Sequence, residues 1–476
     1  MKLVAGRKRF TTLATVLFLL CVSTGGVGPA TATTGSVPNS VQQVYRPGGP
    51  NDVPSTPVEG YTGELLALQA VDVGNTAAEP TLGVDKDGTA FYAASTLVVD
   101  TAVVYGVAKT DVRRSTDGGL TWSSVQLKTP VTNESIPPGN ADPFVWVDQA
   151  TGRVFNFDLF GACNWLNFSD NKGASWTTQP LACGNIPVDH QTIGAGKPRA
   201  PLTTVGYPNI VYWCSNRVVD ATCGRSLDGG LTWQPTGTPS YLGYDQAAGG
   251  LCGGLHGHLE TDPDGRVFVP KGHCSKPWIS ISEDNGTTWS RVKVSDISSA
   301  QTHTSVASDS AGNLYYTWFD ATKRLPYLAI STDHGRTWGA PKMIAPPGVT
   351  ETNFPVVSAG GPGKVTVTFP SSTDADRAGS TRPWDQTVVI STNALDADPI
   401  FLSATANDPV DPIHRGNCNG RCGGMWDFLD IIVAPAGELW ATASDGCVAT
   451  CVTGTATSLK IGRGIAIRQT GGPSLR

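Results

Sequence analysis

One octapeptide recurs along this 476-residue chain and limits its fold more than any other feature. The pattern is Ser-x-Asp-x-Gly-x-Ser/Thr-Trp, and its five copies are residues 115–122, 169–176, 226–233, 282–289 and 331–338. Their starts lie 54, 57, 56 and 49 residues apart, and Asn171 replaces the Asp in the second copy. A near-constant period of this size indicates stacked supersecondary units, because each unit alone cannot bury its apolar face.

The octapeptide has the residues of a structural turn. Ser and Asp side chains bond nearby backbone N–H groups, Gly supplies a positive φ, and Trp inserts an apolar ring between sheets. These repeats resemble the Asp-boxes, or BNR repeats, of the sialidase-like β-propellers. The resemblance implies that the acids of the boxes lie at the periphery of the fold, away from any catalytic centre; they are Asp117, Asp228, Asp284 and Asp333.

Between the boxes a second pattern recurs, in which a short strand and a turn with Gly precede an alternating apolar strand, as in residues 80–92 and 143–155. Each unit therefore predicts a four-stranded blade. We expect an all-β fold, a β-propeller with seven blades, and six or eight blades are the alternatives. Residues 65–71 resemble the strands that follow the boxes. We expect this N-terminal strand to complete the last blade, so that no sheet edge stays open.

The beginning of the chain has the pattern of an export signal. Basic residues at positions 2–9 precede an apolar stretch at 13–22, and Ala30-Thr31-Ala32 has the small-x-small pattern of a cleavage site. We predict a signal peptide at 1–32, a flexible tail rich in Pro, Ser and Gly at 33–60, and a single propeller at 61–476. The mature protein is expected to be secreted and extracellular.

The composition excludes several other classes of protein. The chain has 55 Gly, 34 Pro and only 16 % charged residues, which favours short strands and turns over a helical bundle. Past residue 32, no apolar run approaches the roughly 20 residues of a membrane span. Residues 1–32 hold four basic and no acidic residues, so the mature chain has 40 acidic and 30 basic residues. We therefore expect no nucleic-acid or membrane partners. We also expect the protein to be a monomer.

Ten of the eleven Cys residues lie beyond the signal, as near neighbours along the chain. In an oxidising compartment this spacing predicts local disulfides, although a sequence alone does not fix their connectivity. The alternative is a metal site at one of the two CxxxC pairs. The expected disulfides are Cys163 with Cys183, Cys214 with Cys223, Cys252 with Cys274, Cys418 with Cys422, and Cys447 with Cys451.

Several His residues fall at one repeat position, the entry end of successive inner strands. Inner strands of a propeller line its channel, so these imidazoles are expected at one channel mouth; they are His190, His256, His258 and His303. A His in a desolvated funnel can serve as general acid or base. The carboxyls at the same position, which could act with them, are Glu79, Asp142 and Asp427. The alternatives are metal ligation by the imidazoles and a structural set of channel-lining polar residues.

The resemblance transfers the fold and not the reaction. Family members that cleave sialic acid carry an early Arg-Ile-Pro motif, for which the nearest match is Tyr45-Arg46-Pro47. They also use a Tyr nucleophile late in the fold, and no Tyr follows Tyr327. We predict a glycoside hydrolase or polysaccharide lyase that acts on an acidic glycan without a cofactor. The alternatives are a non-catalytic glycan- or protein-binding propeller, a true exo-sialidase and a metal-dependent enzyme.

The two predicted reactions need different residues. A lyase needs a base, here one of the His residues, to take the proton next to a carboxylate, and a cation to neutralise that carboxylate. A hydrolase needs two carboxyls, whose separation decides between retention and inversion. The candidates for substrate binding are Arg199, Asn353, Arg382 and Arg415.

Overall fold

The fold is taken from a computed structural model, which describes residues 37–51, 53–96, 109–128, 136–137, 140, 142–160, 163–181, 183, 188–217, 220–300, 304–418, 428–459 and 462–476. The predicted signal peptide lies outside these ranges. Within them, the regular structure is almost entirely β, with a short 3₁₀ helix at Ala449–Cys451. The same ranges contain no helix with the length and apolar character needed to cross a membrane.

The strands are numbered here in chain order. The first eleven are β1 Gln42–Arg46, β2 Thr56–Pro57, β3 Ala67–Val84, β4 Ala90–Thr96, β5 Lys109–Ser115, β6 Ser123–Ser124, β7 Phe144–Val147, β8 Val154–Phe160, β9 Cys163–Ser169, β10 Thr177–Leu181 and β11 Val188–Gly196. The next eleven are β12 Ile210–Arg217, β13 Asp220–Ser226, β14 Gln234–Pro235, β15 Tyr244–Asp245, β16 Gly250–Leu251, β17 Glu260–Thr261, β18 Val267–His273, β19 Lys276–Ser282, β20 Ser290–Lys293, β21 Ser305–Ser308 and β22 Leu314–Phe319. The remaining ones are β23 Pro326–Ser331, β24 Lys342–Met343, β25 Glu351–Thr352, β26 Val356–Ala359, β27 Val365–Ser372, β28 Pro383–Ser391, β29 Phe401–Thr405, β30 His414–Arg415, β31 Ile431–Val433, β32 Leu439–Asp445 and β33 Gly462–Gly471.

Most strands belong to antiparallel sheets of four consecutive strands. Such sheets are β7–β10, β11–β14, β17–β20 and β21–β24. Strands β26–β29 form another, to which β1 and β2 are added beyond β29. The long strand β3 is shared, since its first half pairs with β33 and its second half with β4. The predicted all-β fold built from four-stranded units is confirmed.

The innermost strands of these sheets contact one another in chain order. The N–H of Val145 on β7 donates to Thr81 Oγ1 on β3 over 2.8 Å. Contacts continue from β7 to β11, β17, β21, β26 and β31. The ring then closes, because the N–H of Leu82 on β3 donates over 3.0 Å to Oδ2 of Asp430, which directly precedes β31. This is the arrangement of a β-propeller, and it brings together the entry ends of strands that are far apart in sequence.

The last sheet is completed by the segment that the sequence predicts for this role. On β3, Leu68 pairs with Gln469 and Ala70 pairs with Ile467, both on β33. Residues near the start of the described chain thereby cover the open edge of β33. The prediction that this N-terminal strand closes the last sheet is confirmed.

The predicted flexible tail at 33–60 is wrong for its central part. Strand β1 pairs antiparallel with β29, with Val44 opposite Leu402. Tyr45 is fully buried, and its hydroxyl donates to the carbonyl of Ile344 over 2.7 Å. The Pro- and Gly-rich flanks of this segment indicated a tail. The segment is ordered because its backbone pairs with the edge of β29 and because the ring of Tyr45 is buried in the neighbouring core.

Each Asp-box turn is held by side-chain hydrogen bonds. In the fourth box Asp284 accepts from the hydroxyl of Ser282 over 2.9 Å, and from the N–H and hydroxyl of Thr288 over 2.8 and 2.7 Å. In the second box Asn171 accepts from the N–H of Ser175 over 2.9 Å in the same way. The amide oxygen thus replaces the carboxylate oxygen that closes the turn.

Replacing Asp284 by Ala is expected to lower the free energy of unfolding by about 1–2 kcal/mol, because the turn loses its acceptor and water replaces the bonds only in part. Asp284→Asn is the matched control, and it should lose less than half as much, as Asn171 already serves this purpose. Urea unfolding of both variants measures the difference. Equal losses would contradict this account of the turn.

Four predicted disulfides are present, Cys163–Cys183, Cys214–Cys223, Cys252–Cys274 and Cys447–Cys451. Cys418 is also disulfide-bonded, and its predicted partner Cys422 lies outside the described residues. The bridge at Cys252 ties the segment that leads into His256 to the end of β18. This covalent link fixes the approach of the chain to the channel entrance.

Candidate functional site

Three of the four predicted His residues lie together at the entry end of the inner strands. The ring centre of His190 is 5.4 Å from that of His256 and 6.2 Å from that of His258. Phe428 packs against His190 and His258, with ring centres 4.9 and 5.5 Å away. We call this group the His recess; His190, His258 and Phe428 line it with Gly257, Thr304, Ser305, Pro355, Val356 and Leu429. His303 lies outside the described residues.

His190 reaches the recess because β11 is irregular at this point. Its pairing with β12 changes register between Asp189 and Thr192, and His190 itself has φ +52°. A bulge of this kind redirects a side chain, and a non-Gly residue at positive φ needs support from its surroundings. The support is the N–H of His190, which donates to Oδ2 of Asp142 over 3.0 Å.

The two imidazoles before β17 are neutral at neutral pH. Burial lowers the pKa of His256 to about 4 and, together with the neighbouring His256, that of His258 to about 3. Nδ1 of His256 lies 2.7 Å from the carbonyl oxygen of Gly257 and must donate to it. Its Nε2 therefore carries the lone pair. Among the described residues, the Nε2 atoms of His256 and His258 have no hydrogen-bond partner.

Two predicted carboxyls form a pair beside the recess. The carboxyl of Asp142 shares a hydrogen bond with Glu79, which lies in the bulge of β3 at φ +54°. Burial raises the pKa of Asp142 to about 7, and the nearby charge of Asp189 adds to this effect. Two carboxyls that share a hydrogen bond must hold a proton between them, so this pair can supply an acid near neutral pH.

Asp430 is a further carboxyl at the entrance. The predicted Asp427 lies outside the described residues. Asp430 Oδ1 lies 3.7 Å from Nδ1 of His258. Its oxygens accept from the N–H groups of Leu82 and Ile431 over 3.0 and 2.9 Å, and burial raises its pKa to about 7. The sequence places both Asp427 and Asp430 near the entry end of an inner strand. The hydrogen bond from Leu82 on β3 is what marks Asp430 as part of the entrance.

Lys271 is a further buried cation near the recess that the sequence analysis missed. It lies opposite His256 in an isolated β-bridge, and its ammonium group is 5.4 Å from the ring centre of Tyr241. Burial lowers its pKa to about 8. Its signal in the sequence is a Lys that follows the apolar residues 267–270 within β18.

Two predicted substrate-binding arginines support loops. Arg199 donates to the backbone carbonyls of Glu283 and Asp264 over 2.8 and 3.0 Å, and Arg415 donates to two backbone carbonyls over 3.0 and 3.1 Å. Neither lines the His recess, and their predicted role in substrate binding stays a prediction. Asn353 is buried two residues before Pro355 of the recess, and its N–H donates to a neighbouring carbonyl over 3.1 Å.

Arg382 also has a structural role, within a buried cluster. Its guanidinium group is fully buried and bonded to Glu351. Glu351 also holds Arg324 and Arg377, with Nε atoms 3.1 and 3.2 Å from its oxygens. One carboxylate thus faces three guanidinium groups, which we call the arginine cluster. Glu351 lies four residues before Pro355 of the His recess, and the Arg377 side chain is 39 % exposed.

Among the described residues, one group of side chains could hold a metal ion by its geometry, but the guanidinium group of Arg266 already lies among them. The set is Asp262, Asp264 and His334. Nη1 of Arg266 donates to both carboxylates over 2.9 Å and lies 3.3 Å from Nδ1 of His334. The guanidinium group therefore neutralises these acids. The alternative of a metal at the His recess remains a prediction.

A search with protein-family models finds no match to this chain. Among curated proteins, a sialidase of Micromonospora viridifaciens is 24 % identical over 236 residues, which are 48 % of this chain and 30 % of that protein. The chain thus matches less than a third of the length of this relative. The predicted resemblance to the sialidase-like Asp-box proteins is confirmed.

Solved structures give matches of low sequence identity. A protein of unknown function from Dyadobacter fermentans is 14 % identical, with 87 % of this chain and 100 % of that chain covered and a TM-score of 0.46. A Hadza microbial sialidase is 16 % identical, with 69 % and 66 % covered and a TM-score of 0.43.

Proposed function

We propose that this chain, with its sialidase-like Asp-box repeats, is a secreted carbohydrate-active enzyme that acts on an acidic glycan at the His recess. We also propose that its ring has seven blades, one for each innermost strand named above. The observation that carries the function is the meeting of three imidazoles and two carboxyls of raised pKa from distant sheets. Shifted pKa values that converge in a recess are typical of functional sites.

The recess offers a base and an acid at the same pH. The neutral imidazole of His258 lines the recess with an unpartnered Nε2. Behind it lie His256, whose Nε2 carries a lone pair, and the carboxyls of Asp142 and Asp430, which can donate when protonated. In an elimination, the imidazole takes the proton from the carbon next to the carboxylate, the freed electron pair forms a carbon–carbon double bond, and the glycosidic oxygen leaves with a proton from the acid. In a hydrolysis the same acid protonates the leaving oxygen while the second group activates water.

The arginine cluster favours an acidic substrate. Its three guanidinium groups outnumber the single carboxylate of Glu351, so it carries a net positive charge. It lies at the same entry end as the recess, and Arg377 is the member most accessible to a ligand. A positive field near a concave site raises the local concentration of anionic substrates. The disulfides support secretion, since they persist in oxidising compartments.

The alternative is a propeller that binds glycan or protein without turnover. It is favoured by the hairpin of β15 and β16, where Tyr244 and Leu251 pair and are 67 % and 77 % exposed. Exposed aromatic and aliphatic side chains of this kind serve docking as well as catalysis. Turnover separates the two proposals.

The test is incubation of the purified chain with polygalacturonate, hyaluronan and a neutral glucan. We expect new reducing ends with an acidic polymer and not with the glucan. An ultraviolet-absorbing unsaturated product identifies elimination, and its absence identifies hydrolysis. Binding of an acidic polymer without any new reducing end would favour the non-catalytic alternative.

The pH dependence of kcat/KM tests the assignment of base and acid. The base must be neutral, which holds above the pKa of about 3 for His258, and the acid must be protonated, which holds below about 7 for Asp142 and Asp430. We expect a bell-shaped profile with its maximum between these values and a fall of about tenfold per pH unit above the upper one. A rise of kcat/KM through pH 7 would overturn these roles.

A further inference from the structure

A second concave surface lies on the flank of the fold, apart from the His recess. It is formed by the end of β10, by β12–β14 and by the loop at 236–239, and has a volume of about 360 Å³. We call it the flank groove; its walls include Leu181, Trp213, Arg217, Trp233 and Gln234. Sites for small molecules have volumes of roughly 300–1,000 Å³, so the groove has room for a sugar residue.

Arg217 is the chemically unusual member of this groove. Its Nε atom is buried and has no hydrogen-bond partner among the described residues. Asp220 faces Arg217 across the hairpin of β12 and β13, but its carboxylate accepts the N–H of Gly243 instead. In the part of the chain that the structure describes, no carboxylate forms an ion pair with this partly buried guanidinium group, and a charge of this kind is unfavourable without one. An anion in the groove would relieve this cost.

The other walls are aromatic and closely packed. Trp213 lies directly opposite Gly224 on the neighbouring strand. A Cβ at position 224 would lie 2.2 Å from Nε1 of Trp213, so the indole fits only because this residue is Gly. Trp233 packs against the same apolar cluster as Trp213. The groove thus combines a cationic fork with an apolar wall.

We propose that the flank groove binds a carboxylate-bearing sugar residue of the glycan, away from the site of reaction. This inference rests on the proposed function for the choice of an acidic glycan. The planar guanidinium of Arg217 matches a carboxylate in a bidentate way, and indole rings pack against the C–H face of a sugar ring. The side chain of Gln234 at the rim can bond the ring hydroxyls.

Isothermal titration with a galacturonate oligosaccharide tests this proposal. The titration uses the full chain with His258→Asn, so that turnover does not consume the probe. Arg217→Gln should weaken binding about tenfold or more, because a charged hydrogen-bond pair is lost, and Arg217→Lys should give an intermediate loss because the charge stays without the fork. Lys197→Gln, which removes an exposed cation outside the groove, is the matched control and should leave binding unchanged.

Equal affinity of the Arg217→Gln variant and its parent would overturn the proposal. Displacement of the sugar by an acidic peptide at lower concentration would also overturn it, because the groove would then be a peptide site. The proposed function is decided separately by turnover in the wild-type chain. Loss of the groove site with turnover intact contradicts only this inference, whereas binding at Arg217 without turnover contradicts only the proposed enzyme.

Discussion

Replacing Glu351 by Ala is expected to lower the free energy of unfolding by about 3–5 kcal/mol. Its side chain is 4 % exposed and forms ion pairs with Arg324, Arg377 and Arg382, of which Arg382 is fully buried. Removal of one partner from a buried ion pair leaves an uncompensated charge in a low-dielectric environment, and losses of this size are typical. Here three like charges would also face one another. Urea unfolding at neutral pH measures the loss.

Glu283→Ala is the matched control for this experiment. Glu283 also binds an arginine, Arg336, but the two side chains are 46 % and 53 % exposed. Exposed pairs of this kind contribute at most about 1 kcal/mol, so this variant should unfold close to the wild type. Similar losses at Glu283 and Glu351 would show that burial is not the source of the effect.

Replacing His258 by Asn is expected to lower kcat on an acidic glycan by about 10²- to 10⁴-fold, the usual contribution of a general acid or base. The reason is the loss of an unpartnered Nε2 in the recess, next to His190 and Asp430. Asn has a similar polarity but no group that takes up a proton in this pH range. A thermal melt of the same sample shows whether the fold is intact.

His334→Asn is the matched control, because His334 lies in an Asp-box turn bonded to Arg266 and away from the recess. Its kcat should stay within about twofold of the wild type. If the folded His258→Asn variant keeps its kcat as well, the reaction takes place elsewhere or the chain only binds its glycan. The pH profile then loses its meaning as a report on the recess.

Part of the candidate site could be predicted from the repeat pattern of the sequence. Because His190, His256 and His258 each lie near the start of an inner strand, their repeat position and the expected propeller together predicted that they meet. Asp142 and Glu79 follow by the same argument, and the structure places them beside the histidines. The repeat pattern could not decide between Asp427 and Asp430 as the carboxyl at the entrance. The contact that points to Asp430 is the hydrogen bond from the N–H of Leu82, which joins the first inner strand to the last.

The sequence by itself determined what local chemistry encodes: turns that need Ser, Asp and Gly, strands with a two-residue period, a closing strand that resembles other outer strands, and disulfides between near neighbours. The tertiary structure decided what depends on distant partners. Strand β1 hydrogen-bonds an edge some 350 residues away, and Arg382 is buried against Glu351 and not open to a ligand. The physical reason is that burial and charge pairing depend on which side chains the closed ring brings within a few ångströms, and spacing along the chain does not record this.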